Sequence, residues 1–357
     1  MAVPGTEAAT GLRLADYDYE LPADRIAQQP APRRDGARLL HLTPGGRYAD
    51  HQVTDLPELL RPGDLLVANH TRVRAARLRG HRDPEGGAVE LLVLAALGGD
   101  SFACLVRPGR RLRPGARVRL SAEFGAVIGE PSGGHPGART VRFEAAGGDV
   151  VAAIERHGTA PLPPYITEPL RDPERYQTVY AAGEPASAAA PTAGLHFTAE
   201  LREALVRRGV AWTSVDLEVG LGTFAPIQAT DVRDHRMHAE RYRLGAATVE
   251  AVDRARRRGG RVVAVGTTAV RTLETCASGD GRVAGGAGLT ELYLRPGAPV
   301  RVVDGLLTNF HQPRSSLLVL LACLVGQETW RRAYAHALAS GYRFLSFGDC
   351  MLCWTRQ

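Results

Sequence analysis

The chain has 357 residues, a formal net charge of +6, 44% hydrophobic and 23% charged residues, and 11 histidines. That size allows two or three domains, and no apolar run approaches the roughly 20 residues that a membrane helix needs. All 44 basic residues are arginine, which excludes a lysine Schiff base or amine nucleophile, and the basic balance is compatible with nucleic acid without demanding it. Five cysteines spread through a long chain, and a first ten residues without a charged-then-apolar pattern, point to a reducing cytoplasm.

Leu21 to Pro30 reads as a short helix closed before the proline, and Arg33 to Leu42 runs from a polar turn into a strand. Leu59-Arg-Pro-Gly-Asp feeds the apolar strand Leu65 to Ala68. That strand delivers Asn69, His70, Thr71 and Arg72 at its carboxyl end, where open α/β sheets place ligands. From Ala75 to Gly158 the texture changes to short alternating runs separated by Gly/Pro turns, as in a small β-barrel or sandwich. Within it Arg107, Arg110, Arg111, Arg113, Arg117 and Arg119 crowd one hairpin, read either as a solvated basic face or as a contact to phosphates.

The α/β texture returns at Thr159. Thr198 caps a helix whose apolar residues Leu201, Leu205 and Val206 recur at helical spacing, and Val210 to Val219 alternates as a strand. Glycine-rich turns flank this unit, one holding Gly194 and His196, the other Glu218, Gly220 and Gly222. Ala246 to Gly259 is a helix, Arg261 to Val265 a strand, and Gly266-Thr-Thr opens the next helix with amides and hydroxyls suited to a carboxylate or phosphate. Strands are expected over 291–294 and 300–304, then a polar join from Leu307 to Ser316, a buried helix to Val325, a second helix over 328–340, and a last strand within Phe344 to Cys353. The fold class expected is α/β: a main α/β domain of residues 1–74 and 159–357 with an inserted small antiparallel β-barrel domain over 75–158.

His196, His235, His238 and His311 all stand in polar joins, where an imidazole handles protons near neutral pH or serves the structure. Neither His235 and His238 nor the lone Cys350-Met-Leu-Cys353 has further ligands at matching spacing, so no metal is expected. The P-loop ending, the third glycine of a dinucleotide fingerprint and Gly-x-Ser-x-Gly are absent.

Taken in order, these segments resemble the S-adenosylmethionine:tRNA ribosyltransferase-isomerases of queuosine biosynthesis nearly end to end. The motifs include Tyr17-Asp-Tyr-Glu-Leu-Pro, Pro62-Gly-Asp-Leu-Leu-Val, Pro161-Leu-Pro-Pro-Tyr-Ile, Arg175-Tyr-Gln-Thr-Val-Tyr and Pro191-Thr-Ala-Gly-Leu-His-Phe-Thr. They continue through Val219-Gly-Leu-Gly-Thr-Phe, Val265-Gly-Thr-Thr-Ala-Val-Arg-Thr-Leu-Glu, Leu307-Thr-Asn-Phe-His and Phe347-Gly-Asp. The resemblance implies that S-adenosylmethionine, as co-substrate and without a metal, donates its ribosyl part to the aminomethyl group of a 7-deazaguanine at the tRNA wobble position. The products are epoxyqueuosine-tRNA, adenine and methionine. The tRNA anticodon loop is the implied partner, with no membrane, and a monomer is favoured.

On that resemblance His196, Glu218, His238 and His311 are the acid–base residues to test. Gly266, Thr267 and Thr268 suit a carboxylate, Arg72, Arg77 and Arg314 phosphates, and Asp349 a guanine-like edge. Asn69, His70, Thr71, Thr192, Gly194, Gly220, Gly222, Thr223, Phe224, Arg271 and Asn309 complete the expected substrate-binding set. Two positions depart from the family pattern, which has Asp where this chain has His70 and His where it has Glu218. An acid–imidazole pair facing across the pocket is the expectation. Two other readings follow from the swap: a relative that transfers to a different base or a small amine, and a tRNA-binding module without turnover.

Overall fold

The computed structural model describes residues 12–43, 45–84, 86–109, 111–133, 137–220 and 227–355. Along the chain, β1 (Arg38–Leu42), β2 (Tyr48–Gln52), α1 (Leu56–Leu59) and β3 (Leu65–Asn69) precede β4 (Arg72–Val73). Six strands follow, β5 (Arg77–Asp83), β6 (Ala88–Gly98), β7 (Ser101–Arg107), β8 (Arg117–Arg119), β9 (Phe124–Pro131) and β10 (Ala138–Ala145), and then α2 (Val150–His157). Next come β11 (Pro185–Ser187), α3 (Ala199–Arg207), β12 (Ala211–Leu217), β13 (Glu240–Leu244), α4 (Ala246–Arg257) and β14 (Val262–Val265). The last elements are α5 (Thr267–Thr275), β15 (Gly286–Thr290), β16 (Gly305–Asn309), α6 (Ser316–Val325), α7 (Gln327–Ala339) and β17 (Cys350–Trp354).

Contacts divide the described residues into two compact units. One comprises the stretches up to Arg72, Pro163–Glu184 and from Ala190 onward; the other comprises Val73–Leu162 and Pro185–Ala189. The first holds a nine-stranded sheet in the order β15-β13-β12-β3-β14-β16-β17-β1-β2. Its centre, β12, β3, β14 and β16, is parallel, while β17 runs antiparallel to β16. Strand alternation sends successive side chains to opposite faces, and each face has its own core. Leu65, Val67, Val262, Ala264 and Leu306 pack beneath α4, α5, α6 and α7. Leu66, Ala68, Val263, Val265 and Leu307 pack against Leu201 and Leu205 of α3. Cys353 belongs to the first face and Cys350 to the second, so the C-x-x-C pair points apart.

The second unit is a closed barrel of order β10-β7-β6-β5-β8-β9, filled at alternate positions by residues such as Leu91, Ile128 and Phe143. It is an antiparallel barrel, in keeping with the α/β-plus-barrel class read from the sequence. Arg107, Arg111, Arg113, Arg117 and Arg119 are exposed, and Arg117 pairs with Glu144 at 2.7 Å. Arg110 lies outside the described residues.

Local expectations fare unevenly. Thr198 caps α3 by accepting the Leu201 amide at 3.1 Å, and Ser315 caps the buried α6 in the same way. The helix expected over Leu21–Pro30 is only a 3-10 turn at Ala23–Arg25, because prolines bracket it. The strand expected over 291–294 lies earlier, at β15. The run 300–304 is not a strand, because the Glu274 carboxylate accepts the amides of Arg301, Val302 and Val303, each at 2.9 Å. The first three residues of the polar join, Leu307 to Asn309, instead end the fully buried strand β16.

Candidate active site

β14 and β16 are parallel neighbours, with Val265 opposite Leu307, so their carboxyl ends come out side by side. Beyond β14 the chain turns through Gly266 at φ +86°, a conformation an L side chain rarely adopts, and enters α5 at once. Beyond β16 it continues from Asn309 to His311. A cleft of about 790 Å³, counted with its open mouth, lies over these two ends. Thr267, Thr268, Thr308, Asn309 and His311 line it, with Thr192 and Ala193 from the 3-10 turn before α3, and Tyr165 and Ser346.

Two buried polar atoms in this wall are left over. Thr268 Oγ1 and Asn309 Oδ1 meet no hydrogen-bond partner among the described residues, although both side chains are buried. Such orphans are uncommon in a folded protein, since each costs the desolvation of a polar group. The first-turn amides of α5, which a helix leaves without internal partners, start at the same place. A polar ligand would satisfy all of them.

His311 contributes the wall's titratable group. Its amide donates to Tyr334 Oη at 2.9 Å, its carbonyl accepts from Tyr19 Oη, and Nε2 lies 3.0 Å from Thr308 Oγ1. Nδ1 has no partner among the described residues. Burial pushes the imidazole down to about 3, so the ring is neutral at pH 7. His196 stands one layer behind. Its Nε2 lies 3.3 Å from Asn309 Nδ2, and burial together with the Arg343 charge lowers it to about 4. The glycine two residues earlier is required for packing: a Cβ on Gly194 would come within 2.0 Å of Tyr180 Oη.

Of the residues singled out from sequence, the cleft therefore gathers Thr192, Gly266, Thr267, Thr268, Asn309 and His311. Gly222, Thr223 and Phe224 lie outside the described residues, while Gly220 donates its amide to Glu240 Oε1 at 2.9 Å. Several others are committed elsewhere. Asn69 bridges the Leu217 amide and carbonyl and also accepts the amide of the buried Thr71, which makes it a clamp between β3 and β12. Asp349 accepts the amides of Arg38 and Arg343 on its two oxygens, so its carboxylate is occupied by backbone rather than open to a base edge. Arg271 is buried against Glu240 and donates to the carbonyls of Leu292 and Thr290. Arg314, at φ +57°, binds Asp18. Arg77, in the barrel unit, donates to the Leu162 carbonyl, whereas Arg72 and His238 are exposed.

The expected acid–imidazole pair is not formed across this cleft. His70 Nδ1 lies 2.9 Å from Ser214 Oγ, four residues before Glu218, which is about 13 Å along a strand. Glu218 lines a separate shallow groove with Asp216, Arg241 and Tyr242. Neither lines the cleft. Tyr165 and Ser346, joined through their hydroxyls at 2.7 Å, were missed as site residues. The Pro-Pro-Tyr run was a visible signal for the first, but nothing local marks Ser346.

The sequence profile of the queuosine biosynthesis protein family matches residues 14–353. The chain belongs to this family. It is 48% identical over 344 residues to the S-adenosylmethionine:tRNA ribosyltransferase-isomerase of Symbiobacterium thermophilum, covering 96% of this chain and 99% of that protein. The protein of the same name from Gloeobacter violaceus is 50% identical over 336 residues, 94% of each chain. A crystal structure of S-adenosylmethionine tRNA ribosyltransferase from Thermotoga maritima matches with a TM-score of 0.53 at 35% identity, covering 94% of this chain and 99% of that one. The cleft of this family member lies on the unit that holds the nine-stranded sheet.

Proposed function

We propose that this protein transfers and isomerises the ribosyl part of S-adenosylmethionine onto 7-aminomethyl-7-deazaguanine at the wobble position of a tRNA anticodon loop. The products are epoxyqueuosine-tRNA, adenine and methionine. The enzyme acts as a cytoplasmic monomer without a metal, its catalytic domain spanning 1–74 and 159–357 and its inserted barrel 75–158. The observation that carries the reading is the convergence of Thr268 Oγ1, Asn309 Oδ1 and a neutral His311 on one cleft.

The chemistry suits such a site. A sulfonium acidifies the hydrogens on its neighbouring C5′, so a modest base begins the reaction. In this reading His311 is the base: Nε2 lies 3.0 Å from Thr308 Oγ1, and the tautomer with its proton on Nε2 keeps the Nδ1 lone pair for the abstracted proton. Burial disfavours an isolated imidazolium, but here the positive charge passes from sulfonium to ring and the cleft gains none. Adenine then leaves, the substrate amine attacks the sugar, and an alkoxide displaces methionine as the epoxide closes. Thr267, Thr268 and the start of α5 hold the methionine carboxylate through hydroxyls and amides.

The test is to incubate the protein with S-adenosylmethionine and follow adenine release. Release that requires tRNA carrying the aminomethyl base supports the proposal. Release only with another acceptor, or tRNA binding without release, would overturn it.

A further inference from the structure

Asn309 stands at the carboxyl end of β16 with one free atom. Its Nδ2 donates to the Leu345 carbonyl at 3.1 Å and lies 3.3 Å from His196 Nε2, while Oδ1 has no partner among the described residues. A backbone carbonyl only accepts, so the group beside Leu345 is the NH2 and the amide's orientation is fixed. The second Nδ2 hydrogen then has one acceptor in reach, the lone pair of His196 Nε2. For Nε2 to accept, the ring proton must be on Nδ1. The chain of bonds is therefore directional. His196 and Leu345 take both amide hydrogens of Asn309, and the one unsatisfied atom left is an acceptor.

Given the proposed function, we infer that His196 is a positioning residue rather than the proton-abstracting base, and that it holds Asn309 Oδ1 as the acceptor for an N–H of the substrates. Adenine, the methionine ammonium and the aminomethyl group all supply such donors, and an oxygen-only ligand in the same place would leave Oδ1 unsatisfied. His196 suits the role by geometry: it does not line the cleft, is buried to 5% exposure, and is linked to the cleft through Asn309. A base must reach the proton it removes. Within the Thr192–His196 turn that carries the imidazole, Gly194 packs closely on Tyr180 and Thr178, and Ala193 lies against Gly266.

The experiment compares wild type with His196→Ala, His196→Gln, Asn309→Ala and the His196→Ala/Asn309→Ala double variant in tRNA-dependent adenine release. Glutamine keeps an acceptor oxygen near the Nε2 position but is no base. His196→Gln is expected to stay within about fivefold of wild-type kcat/KM, and His196→Ala to lose about 100-fold, the scale of a misplaced binding group. The double variant is expected to be no worse than Asn309→Ala, because one residue acts through the other. A raised KM for S-adenosylmethionine assigns the donor to that substrate, and a raised KM for tRNA assigns it to the aminomethyl base. A glutamine variant as impaired as the alanine variant, or additive losses in the double variant, overturns the inference. A wild type that releases no adenine overturns the underlying function as well, a distinguishable result.

Discussion

Arg271 of α5 and Glu240 of β13 form a buried ion pair, and the second Glu240 oxygen accepts the Gly220 amide at 2.9 Å. The pair thus ties the helix that offers Thr267 and Thr268 to Gly220, next to Val219, and Thr267, Thr268 and Val219 line the cleft. Arg271 also donates to Leu292 and Thr290, so its charge is fully matched within the protein. Glu240→Gln leaves that guanidinium uncompensated, and breaking a buried pair costs about 3–5 kcal/mol. The expected result is a lower urea midpoint with an unchanged slope, and a raised KM for S-adenosylmethionine. A stability loss under about 1 kcal/mol, the worth of a surface pair, would contradict this.

Thr268 makes the opposite prediction. Its hydroxyl oxygen is buried without a partner, so Thr268→Val removes an unsatisfied group while keeping the shape. The free protein is expected to gain about 1 kcal/mol, within the cost assigned to such orphans. Its KM for S-adenosylmethionine rises at the same time. Loss of stability together with unchanged KM would mean that the hydroxyl serves the fold and not a ligand.

Asp349 looked from sequence like an acceptor for a base edge, and its geometry predicts a different variant phenotype. Both oxygens hold backbone amides, of Arg38 at 3.0 Å and Arg343 at 2.8 Å. Asp349→Asn turns one acceptor into a donor facing an amide, which is expected to cost about 1–3 kcal/mol in urea unfolding. The KM for tRNA should follow stability only. A selective loss of tRNA affinity in a fully stable variant would restore the base-reading role.

Acid should destabilise the protein through its buried imidazoles. Burial, joined for His196 by the Arg343 charge, lowers His196 to about 4 and His311 to about 3. The unfolded rings take up protons below about pH 6.5, and the folded ones do not until far lower. Their contribution is therefore complete above about pH 6.5 and is lost as pH falls through 6.5 toward 4 and 3. Between pH 7 and pH 5 each ring should cost about 2 kcal/mol by proton linkage. Urea titrations at the two pH values check this, since His196→Gln is expected to lose about 2 kcal/mol less than wild type over that interval. Equal losses in the two proteins would place His196 in a solvated environment.

Much of the site could be read before any coordinates because its chemistry is local. The Gly266-Thr-Thr join needs a left-handed residue between strand and helix, and Thr198 announces its cap, so both are written in adjacent residues. What escaped is set by distant partners. The run 300–304 has the alternation of a strand, but Glu274 takes three of its amides, and the true strand β16 hides its polar Thr308 and Asn309 within a buried stretch. β15 escaped because Gly286–Thr290 is an exposed edge strand with little side chain to pattern. Ser346 lines the cleft and is joined there to Tyr165, 181 residues away in the chain, a pairing that no spacing in the chain encodes.

In the proposed reaction the sugar of S-adenosylmethionine, not its methyl group, reaches tRNA. Two parallel incubations decide it, one with S-adenosylmethionine labelled in the ribose carbons and one with the label in the methyl group, each with tRNA carrying the aminomethyl deazaguanine. Ribose label is expected in the tRNA in step with released adenine, methyl label only in free methionine, and His311→Ala should lose both the tRNA label and the adenine release. Methyl label in the tRNA, or ribose label that never leaves the small-molecule fraction, would contradict it.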